Sequence, residues 1–481
     1  MHADLQRYDL AVLGGGTAGL TAAVAAARQG ARTVLIERAR TGGDCLWTGC
    51  VPSKALLAAA ERAHHARTSH ALGVHVDGAR VDFPDVMRHV AGSIATIAPH
   101  DAPERLRGEG VEVIIGAGHF TGVDRIRVGG RTLRFRHAMI ATGARPLVPP
   151  IPGLRELDPL TSDTVWDLES LPERLVVLGG GPIGVELGQA FSRLGSTVTI
   201  VEAADRLLPR EEPAASEVVA DALQSEGIDV LTSSPAVRAE RKGDGDVLVV
   251  DDNGAERAIA IDQLLVALGR RPAAEHLWLD AAAVRTTANG AVAVDERLRT
   301  TNRRIYAGGD VTMLLPFTHT AATHGATVVQ NALFGLRRKV DHQRIPWATF
   351  TDPEVARIGL TAAEAQERFG ERAQVHVAHH TRLDRAIISN ATRGFAMLVG
   401  DSRGRLVGAT VVGPRAGETI AEAAAWIAGG ARLSTIVRTT HAYPTWNSDL
   451  ATASLDALDA SLQRFRWLSQ LVRRIRRLLL R

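Results

Sequence analysis

Two stretches of the chain carry the same order of apolar, glycine and small-residue positions. Between Tyr8 and Glu37 an apolar run breaks at Gly14-x-Gly16-x-x-Gly19, continues as an alanine-rich stretch, and resumes as TVLIE, which ends in Glu37. Between Arg174 and Glu202 the order repeats, with Gly179-x-Gly181-x-x-Gly184 and a second apolar run ending in Glu202. In both, the acid lies 18 residues beyond the last glycine. The pattern predicts strand, tight turn, helix and strand, twice over. The first glycine permits the turn, the second lets backbone approach a pyrophosphate, and the third lets helix and strand pack closely. The helix N-terminus then faces phosphates and the acid takes ribose hydroxyls. Two complete fingerprints predict two dinucleotide sites.

Other apolar runs extend this picture. AMIATGARP (Ala138 to Pro146, with Thr142 and Gly143) and LLVALGRRP (Leu264 to Pro272, with Gly269) read as strands ending in glycine, suited to close approach of a ligand. TTNRRIYAGGD, Thr300 to Asp310, is another such strand. These strands alternate with helical stretches and are expected to be mainly parallel, an α/β arrangement of two Rossmann-like, doubly wound halves. After about Arg344 the pattern changes to short strands separated by turns such as DSRG, followed by the helical GETIAEAAAWIAGGARLSTIVRT, which predicts an α+β domain with an antiparallel sheet.

A length of 481 residues suggests about three domains. Hydrophobic and charged fractions of 45% and 23% are ordinary for a soluble globular chain. No run of about 18 apolar residues appears and the N-terminus lacks the pattern of a secretory signal, so a cytoplasmic location is expected. The net charge of +3 is uneven: Asp459 to Arg481 holds seven arginines and one aspartate, leaving a weakly acidic body and no reason to expect nucleic-acid binding. In that tail Leu462, Phe465, Leu468, Leu471, Val472, Ile475, Leu478 and Leu479 recur at helical spacing opposite the arginines. Two readings stay open for this basic amphipathic helix. It packs on a dimer, or it contacts an anionic membrane surface, peripheral to the inner face.

The only cysteines, Cys45 and Cys50, lie in GGDCLWTGCVPSK. Two thiols exclude a disulfide-stapled secreted class. Residues five apart on a regular helix rise about 7.5 Å, beyond the roughly 7 Å between Cα atoms that a disulfide tolerates. Bridging would need a distorted turn, for which Gly49 gives freedom. So local a bridge would restrain little of the unfolded chain, which favours a redox pair. A metal site and two inert thiols are the rival readings, and two thiolates are an incomplete zinc set.

Taken together, the two fingerprints, GGDCLWTGCVPSK, ATG, AGGD and WATFTDPEVARIGLTAAEA resemble the class I FAD-dependent pyridine-nucleotide disulfide oxidoreductases, a family that includes mercuric reductase and dihydrolipoyl dehydrogenase. The resemblance implies an FAD domain (1–150 and 271–343) interrupted by an NAD(P)H domain (151–270), a dimerisation domain (344–458) and the tail (459–481). It implies a homodimer that passes electrons from NAD(P)H through flavin to a redox-active Cys45–Cys50 disulfide and on to a small-molecule or metal-ion acceptor. By position, Gly14, Gly16, Gly19 and Glu37 match the FAD fingerprint, Gly118 a residue whose backbone meets the adenine, and Asp310 the aspartate on the ribityl chain. Gly179, Gly181, Gly184 and Glu202 match the nicotinamide nucleotide site. Lys54, expected buried, and Glu186 match a pair beside the flavin ring. Cys50 matches the thiol next to the flavin and Cys45 the thiol that meets the acceptor. A carboxylate at Glu202 favours NADH by repelling a 2′-phosphate, while Arg206 nearby leaves NADPH open.

One departure bears on the acceptor. Disulfide-reducing members carry His-Pro-Thr and then a glutamate near the C-terminus, whereas this chain reads HAYPTWNSD. Tyr443 stands at the histidine position and Ser448 at the glutamate position, with His441 two residues early and Asp449 one late. Tyrosine, with an ordinary pKa of about 10, is a poor general base. Mercuric reductase resembles this chain in having tyrosine there, but that enzyme also uses a C-terminal cysteine pair, which is absent here. His441 is the substitute base to consider. The expected activity is mercuric-reductase-like or dihydrolipoyl-dehydrogenase-like, with an acceptor that needs little proton shuttling, such as a metal ion or a quinone, fitting better; an NADH-dependent quinone or metal-ion reductase, or a redox-sensing flavoprotein, is the alternative.

Overall fold

The computed structural model describes residues 7–243, 245–455 and 466–479. Contacts divide the chain into two units, one of residues 1–68, 76–204 and 227–342, the other of 69–75, 205–226 and 343–481.

The first unit contains two parallel sheets. In the larger, Arg7–Leu13 is central, with Thr33–Glu37 and then Val111–Ile115 on one side and Arg131–Ile140 on the other, all parallel. Ile305–Ala307 also pairs in parallel with Arg131–Ile140, and Gly118–Gly122 and Arg125–Val128 add an antiparallel extension. Near-continuous apolar runs such as LAVL and TVLI are buried throughout, as expected for strands covered on both faces. The helix Thr17–Arg28 buries a face of small residues, Ala18, Gly19, Ala22, Ala23 and Ala26, which lets it lie close to the sheet. One core unites Tyr8, Leu13, Phe120, Phe135 and Ile140 with Leu277, Val292, Ile305 and Val311, so chain from both sides of the second fingerprint shares it.

The second sheet runs Asp229–Leu231, Thr197–Val201, Arg174–Leu178, Gln263–Val266, all parallel, with the antiparallel meander Ala236–Glu240, Asp246–Asp252, Ala255–Ile261 beside it in sequence. Where the chain leaves the first sheet and returns from the second, Ala144–Pro146 and Arg270–Pro272 pair as a two-stranded antiparallel ribbon.

The second unit is built on a five-stranded antiparallel sheet, ordered Trp347–Thr349, Glu354–Gly359, Leu406–Gly413, Phe395–Gly400, Gln374–His379. The helix Ala416–Ala428 packs Ile420, Ala423 and Ile427 against Ile358, Leu398 and Val411. A buried Arg357–Glu211 pair at 2.9 Å, with the Trp347 indole N–H donating to the same carboxylate at 2.7 Å, fastens residues 205–226 to this sheet. The fold is therefore the expected α/β pair of doubly wound sheets with a C-terminal α+β domain.

The tail forms the helix Arg466–Leu479, where Leu471, Val472, Ile475 and Leu479 are exposed together with Arg473, Arg474, Arg476 and Arg477. Leu462, Phe465 and the side chains of Leu468 and Leu478 lie outside the described residues. Among the described residues no helix is long and apolar enough to cross a membrane.

Candidate active site

The two glycine turns are built alike. Gly14 has φ +107°, and a Cβ there would stand 2.2 Å from the carbonyl oxygen of Ala141; Gly179 has φ +119°, with the carbonyl oxygen of Ala267 at 2.6 Å. A Cβ on Gly19 or Gly184 would stand 1.9 Å from the carbonyl oxygen of Gly14 or Gly179 respectively. The middle glycines face open space: nothing lies within 4 Å of a Cβ on Gly181, and only the Gly43 Cα, at 3.7 Å, near one on Gly16.

Each fingerprint acid is pre-positioned by backbone. Glu37 accepts from the N–H groups of Gly15 (2.6 Å) and Ala39 (2.8 Å), and Glu202 from those of Gly180 and Ala204 (both 2.7 Å). One donor per oxygen leaves lone pairs for ribose hydroxyls. The Thr142 hydroxyl is buried beside the Gly14 turn with no protein partner, and Gly143 and Gly269, at φ +72° and +100°, have no atom within 4 Å of a Cβ position. An orphaned hydroxyl and open cradles at two helix N-termini fit two dinucleotides. Gly118 is different in kind, since a Cβ there would meet Ile36 at 2.9 Å in the strand layer. Burial holds the Asp310 carboxyl above the usual carboxylate range, with Arg270 working against it. The preceding Gly309 N–H donates to His324 Nδ1 at 3.0 Å, an anchor the motifs did not announce.

The cysteine segment is a broken helix. Gly43–Trp47 forms a short helix, Thr48 and Gly49 leave it, and Cys50–Thr68 starts a new one. The N–H groups of Thr48 and Gly49 both donate to the Asp44 carbonyl, at 2.9 and 2.5 Å. A Cβ on Gly49 would stand 2.9 Å from that oxygen, so the fold-back requires glycine. This is the distorted turn that two residues five apart need. Both cysteines are free thiols. Cys50, at a helix start, is exposed at its surface, although neighbouring groups still partly desolvate it. Its pKa falls from 9.0 to about 6, chiefly through the hydrogen bond from Cys45, against the effect of burial, with the Thr318 hydroxyl and the Lys54 charge also lowering it. Cys45 is pushed up by that same shared proton and by burial. Cys50 is thus the thiolate of the pair.

Lys54 lies one turn beyond Cys50 on the same helix face and pairs with Glu186 at 2.7 Å. The burial expected for the lysine falls instead on its partner: the Lys54 side chain is 37% exposed and that of Glu186 8%. The long lysine side chain keeps its ammonium at the rim while the shorter glutamate sits inside the helix Pro182–Leu194. Thr318, which sequence reasoning missed, opens the helix Thr318–Phe334 and puts Oγ1 3.2 Å from Cys50 Sγ. Trp47 and Thr48, between the two cysteines, stiffen the turn. The Trp47 indole donates to the Thr41 carbonyl (2.7 Å) and packs on Arg40, and the Thr48 carbonyl accepts from Trp166 (2.9 Å).

Tyr443 and His441 belong to the second unit. Tyr443 is 76% exposed and its hydroxyl donates to Asp384 at 2.8 Å, which pushes the phenol pKa up. Asp449 is buried against His380 at 3.0 Å and so is committed elsewhere. Ser448 bonds to Thr445. His441 is held through Nε2 by Glu422 at 2.9 Å, and Glu422 also accepts from Asn447 at 2.8 Å. That is a base–orienter pair, and nothing in HAYPTWNSD pointed to Glu422. The imidazole is packed inside the unit, however, and its Nδ1 is buried without a partner. Among the described residues no three His, Cys, Asp or Glu side chains form a metal-holding cluster.

Residues 8–325 match the family described as pyridine nucleotide-disulphide oxidoreductase, and residues 345–454 match its dimerisation domain. A mercuric reductase of Streptomyces lividans is 36% identical over 460 residues, covering 93% of this chain and 95% of the relative. A dihydrolipoyl dehydrogenase of Thermus scotoductus is 35% identical over 468 residues, covering 94% and 97%. Among solved structures, the Cu(II) complex of the HOCl-induced flavoprotein disulfide reductase RclA from Escherichia coli superposes with a TM-score of 0.82 at 29% identity, covering 94% of this chain and 99% of that one. LpdA from Mycobacterium tuberculosis does so with a TM-score of 0.84 at 27% identity, covering 94% and 100%.

Proposed function

This chain belongs to the pyridine nucleotide-disulphide oxidoreductases, and within that family we propose that it is an NADH-preferring reductase of soft metal ions acting through the Cys45–Cys50 pair. Members of the family move electrons from NAD(P)H through FAD to a cysteine pair and on to an acceptor, and the dimerisation domain supports a homodimer. Bound flavin supplies the two-electron relay between nicotinamide and thiols.

The residue roles are part of the proposal. Gly14, Gly16, Gly19, Glu37, Thr142, Gly143 and Asp310, with the strand at Gly118, hold FAD, in a domain of residues 1–150 and 271–343. Gly179, Gly181, Gly184, Glu202 and Gly269 hold the nicotinamide nucleotide, within residues 151–270. Glu202 spends one lone pair per oxygen on backbone and keeps the rest for two ribose hydroxyls, which favours NADH. Lys54 and Glu186 flank the thiolate. Cys45 meets the acceptor and Cys50 faces the flavin.

The observation that carries the choice of acceptor is the state of the two candidate bases. Cleaving a disulfide substrate requires a proton for the departing thiolate. Tyr443 has its phenol pKa raised by Asp384, and His441 is packed against Glu422. Neither offers an open imidazole. A soft metal ion bound as a thiolate complex needs no proton at that step, and thiolates select such ions. The mercuric reductase relatives, named for a metal-ion acceptor, and RclA, a flavoprotein disulfide reductase solved as a Cu(II) complex, support a metal-ion reading. Steady-state NADH oxidation by the purified holoenzyme should be fastest with mercuric or cupric ion, slow with lipoamide and small disulfides, and lost in Cys45→Ser. Lipoamide turnover exceeding metal-ion turnover refutes the reading, and quinone turnover that survives Cys45→Ser makes the cysteines secondary.

The tail helix Arg466–Leu479 has exposed apolar and arginine side chains and no acidic residue, a surface complementary to anionic lipid at the inner face of a membrane. Sedimentation with phosphatidylglycerol vesicles, lost on deleting residues 462–481, tests it.

A further inference from the structure

The helix that carries Cys45 is too short to hold its own shape. Gly43–Trp47 is five residues long, and isolated helices below about 12 residues are marginal in water. What positions Cys45 is therefore the set of groups that grip this segment from outside, and the strongest grip falls on Asp44. Its carbonyl takes both N–H groups of the fold-back, from Thr48 and Gly49. Its carboxylate forms an ion pair with Arg270 Nη2. One residue thus joins the turn that brings the two thiols together to an arginine 226 positions away.

Arg270 is itself fixed on several sides. Its side chain is only 16% exposed, Nη2 also donates to the Ala144 carbonyl at 2.8 Å, Nη1 donates to Ser162 Oγ at 3.2 Å, and Asp163 lies 3.8 Å away. Arg270 and Ala144 are residues of the ribbon through which the chain passes between the two parallel sheets. A second tether runs the same way, because Trp166, whose indole holds the Thr48 carbonyl, follows Ser162 and Asp163 in sequence. Asp44 is about half exposed, yet partial desolvation and the nearby Asp163, Asp310 and Glu37 charges push its pKa up, and Arg270, itself largely buried, is the charge that opposes them and holds the carboxylate in place.

We propose that the Asp44–Arg270 pair is the positioning link that holds the Cys45 thiol in reach of Cys50 and couples that approach to the inter-sheet ribbon. Arg270 and Asp44 touch neither thiol and are positioning residues. The inference rests on the cysteine pair being the redox centre but not on the identity of the acceptor. Holding two thiols together raises their effective concentration and favours the closed disulfide over the dithiol. Losing the link shifts that equilibrium towards dithiol.

The test uses the FAD-loaded enzyme equilibrated in glutathione redox buffers, with the closed fraction read by alkylation and mass spectrometry. Flavin bleaching by NADH is followed separately by stopped flow. Arg270→Gln and Asp44→Ala should each shift the dithiol–disulfide equilibrium towards dithiol by about tenfold, while NADH-driven flavin bleaching stays within about twofold. The double variant should shift no further than either single change, because one link has been cut twice. Arg270→Lys, which keeps the charge but loses the fork, should fall between. If Arg270→Gln does not fold, Asp44→Ala carries the test alone, since it leaves the backbone carbonyl in place. An equilibrium within about twofold of wild type in Asp44→Ala, additive effects in the double variant, or flavin bleaching slowed as much as the thiol equilibrium is shifted would each overturn the proposal. Failure of the metal-ion reading, by contrast, appears only in acceptor turnover and leaves this equilibrium untouched.

Discussion

Replacing Thr318 with alanine removes the hydroxyl 3.2 Å from Cys50 Sγ and leaves the Cys45 and Lys54 contributions in place. A hydrogen bond to a charged group is worth about 1.5–3 kcal/mol. Sulfur is a weak acceptor and Cys50 is open to solvent, so roughly half of that survives, ~0.8–1.5 kcal/mol. At about 1.4 kcal/mol per pKa unit, the Cys50 pKa should rise by about one unit. The wild-type thiol, with a pKa of about 6, is then half ionised at pH 6, and the variant only about one-tenth ionised. The alkylation rate of Cys50 in the reduced enzyme, resolved by mass spectrometry across pH 5 to 9, should fall about fivefold at pH 6 and converge with wild type above about pH 8. The sign follows from the depressed pKa: thiolate is present above it and lost as pH falls through it. Thr318→Ser should restore the profile. An unmoved titration curve in Thr318→Ala would show that Cys45 and Lys54 alone account for the low value.

Three further outcomes are expected. Lys54→Met removes the 2.7 Å ion pair from the Glu186 carboxylate, 8% exposed; the part-exposed lysine tempers the loss to about 1–2 kcal/mol in urea unfolding, and Glu186→Gln should cost less. Gly184→Ala places a Cβ 1.9 Å from the Gly179 carbonyl oxygen and should raise the KM for NADH at least tenfold while FAD content, read from the 450 nm absorbance, is retained; the equivalent change at Gly19 should lose FAD instead. Tyr443→His returns an imidazole to an exposed position beside Asp384 and should raise lipoamide turnover without changing NADH-driven flavin bleaching; no gain in lipoamide turnover would remove the proton-supply argument for a metal acceptor.

Local rules make much of this protein legible in its sequence. The two glycine fingerprints, the acids at Glu37 and Glu202 and the change to an antiparallel pattern after Arg344 are short-range statements, because turn geometry and strand–helix packing are decided within about thirty residues. The same holds for the distorted turn at Gly49, which a Cys45–Cys50 bridge would need at that spacing. What the sequence could not hold were pairings across long separations. Thr318 reaches Cys50 over 268 positions and Arg270 reaches Asp44 over 226, and no periodicity links such residues. Burial is likewise a property of the packed whole: Lys54 and Glu186 could be named as partners, but which of the two would be desolvated depended on the depth of their helices. In HAYPTWNSD the absence of a histidine at Tyr443 was plain in the letters. That His441 is turned inward onto Glu422, and that Asp449 is committed to His380, followed only from the folding of residues 380–449 around a shared core.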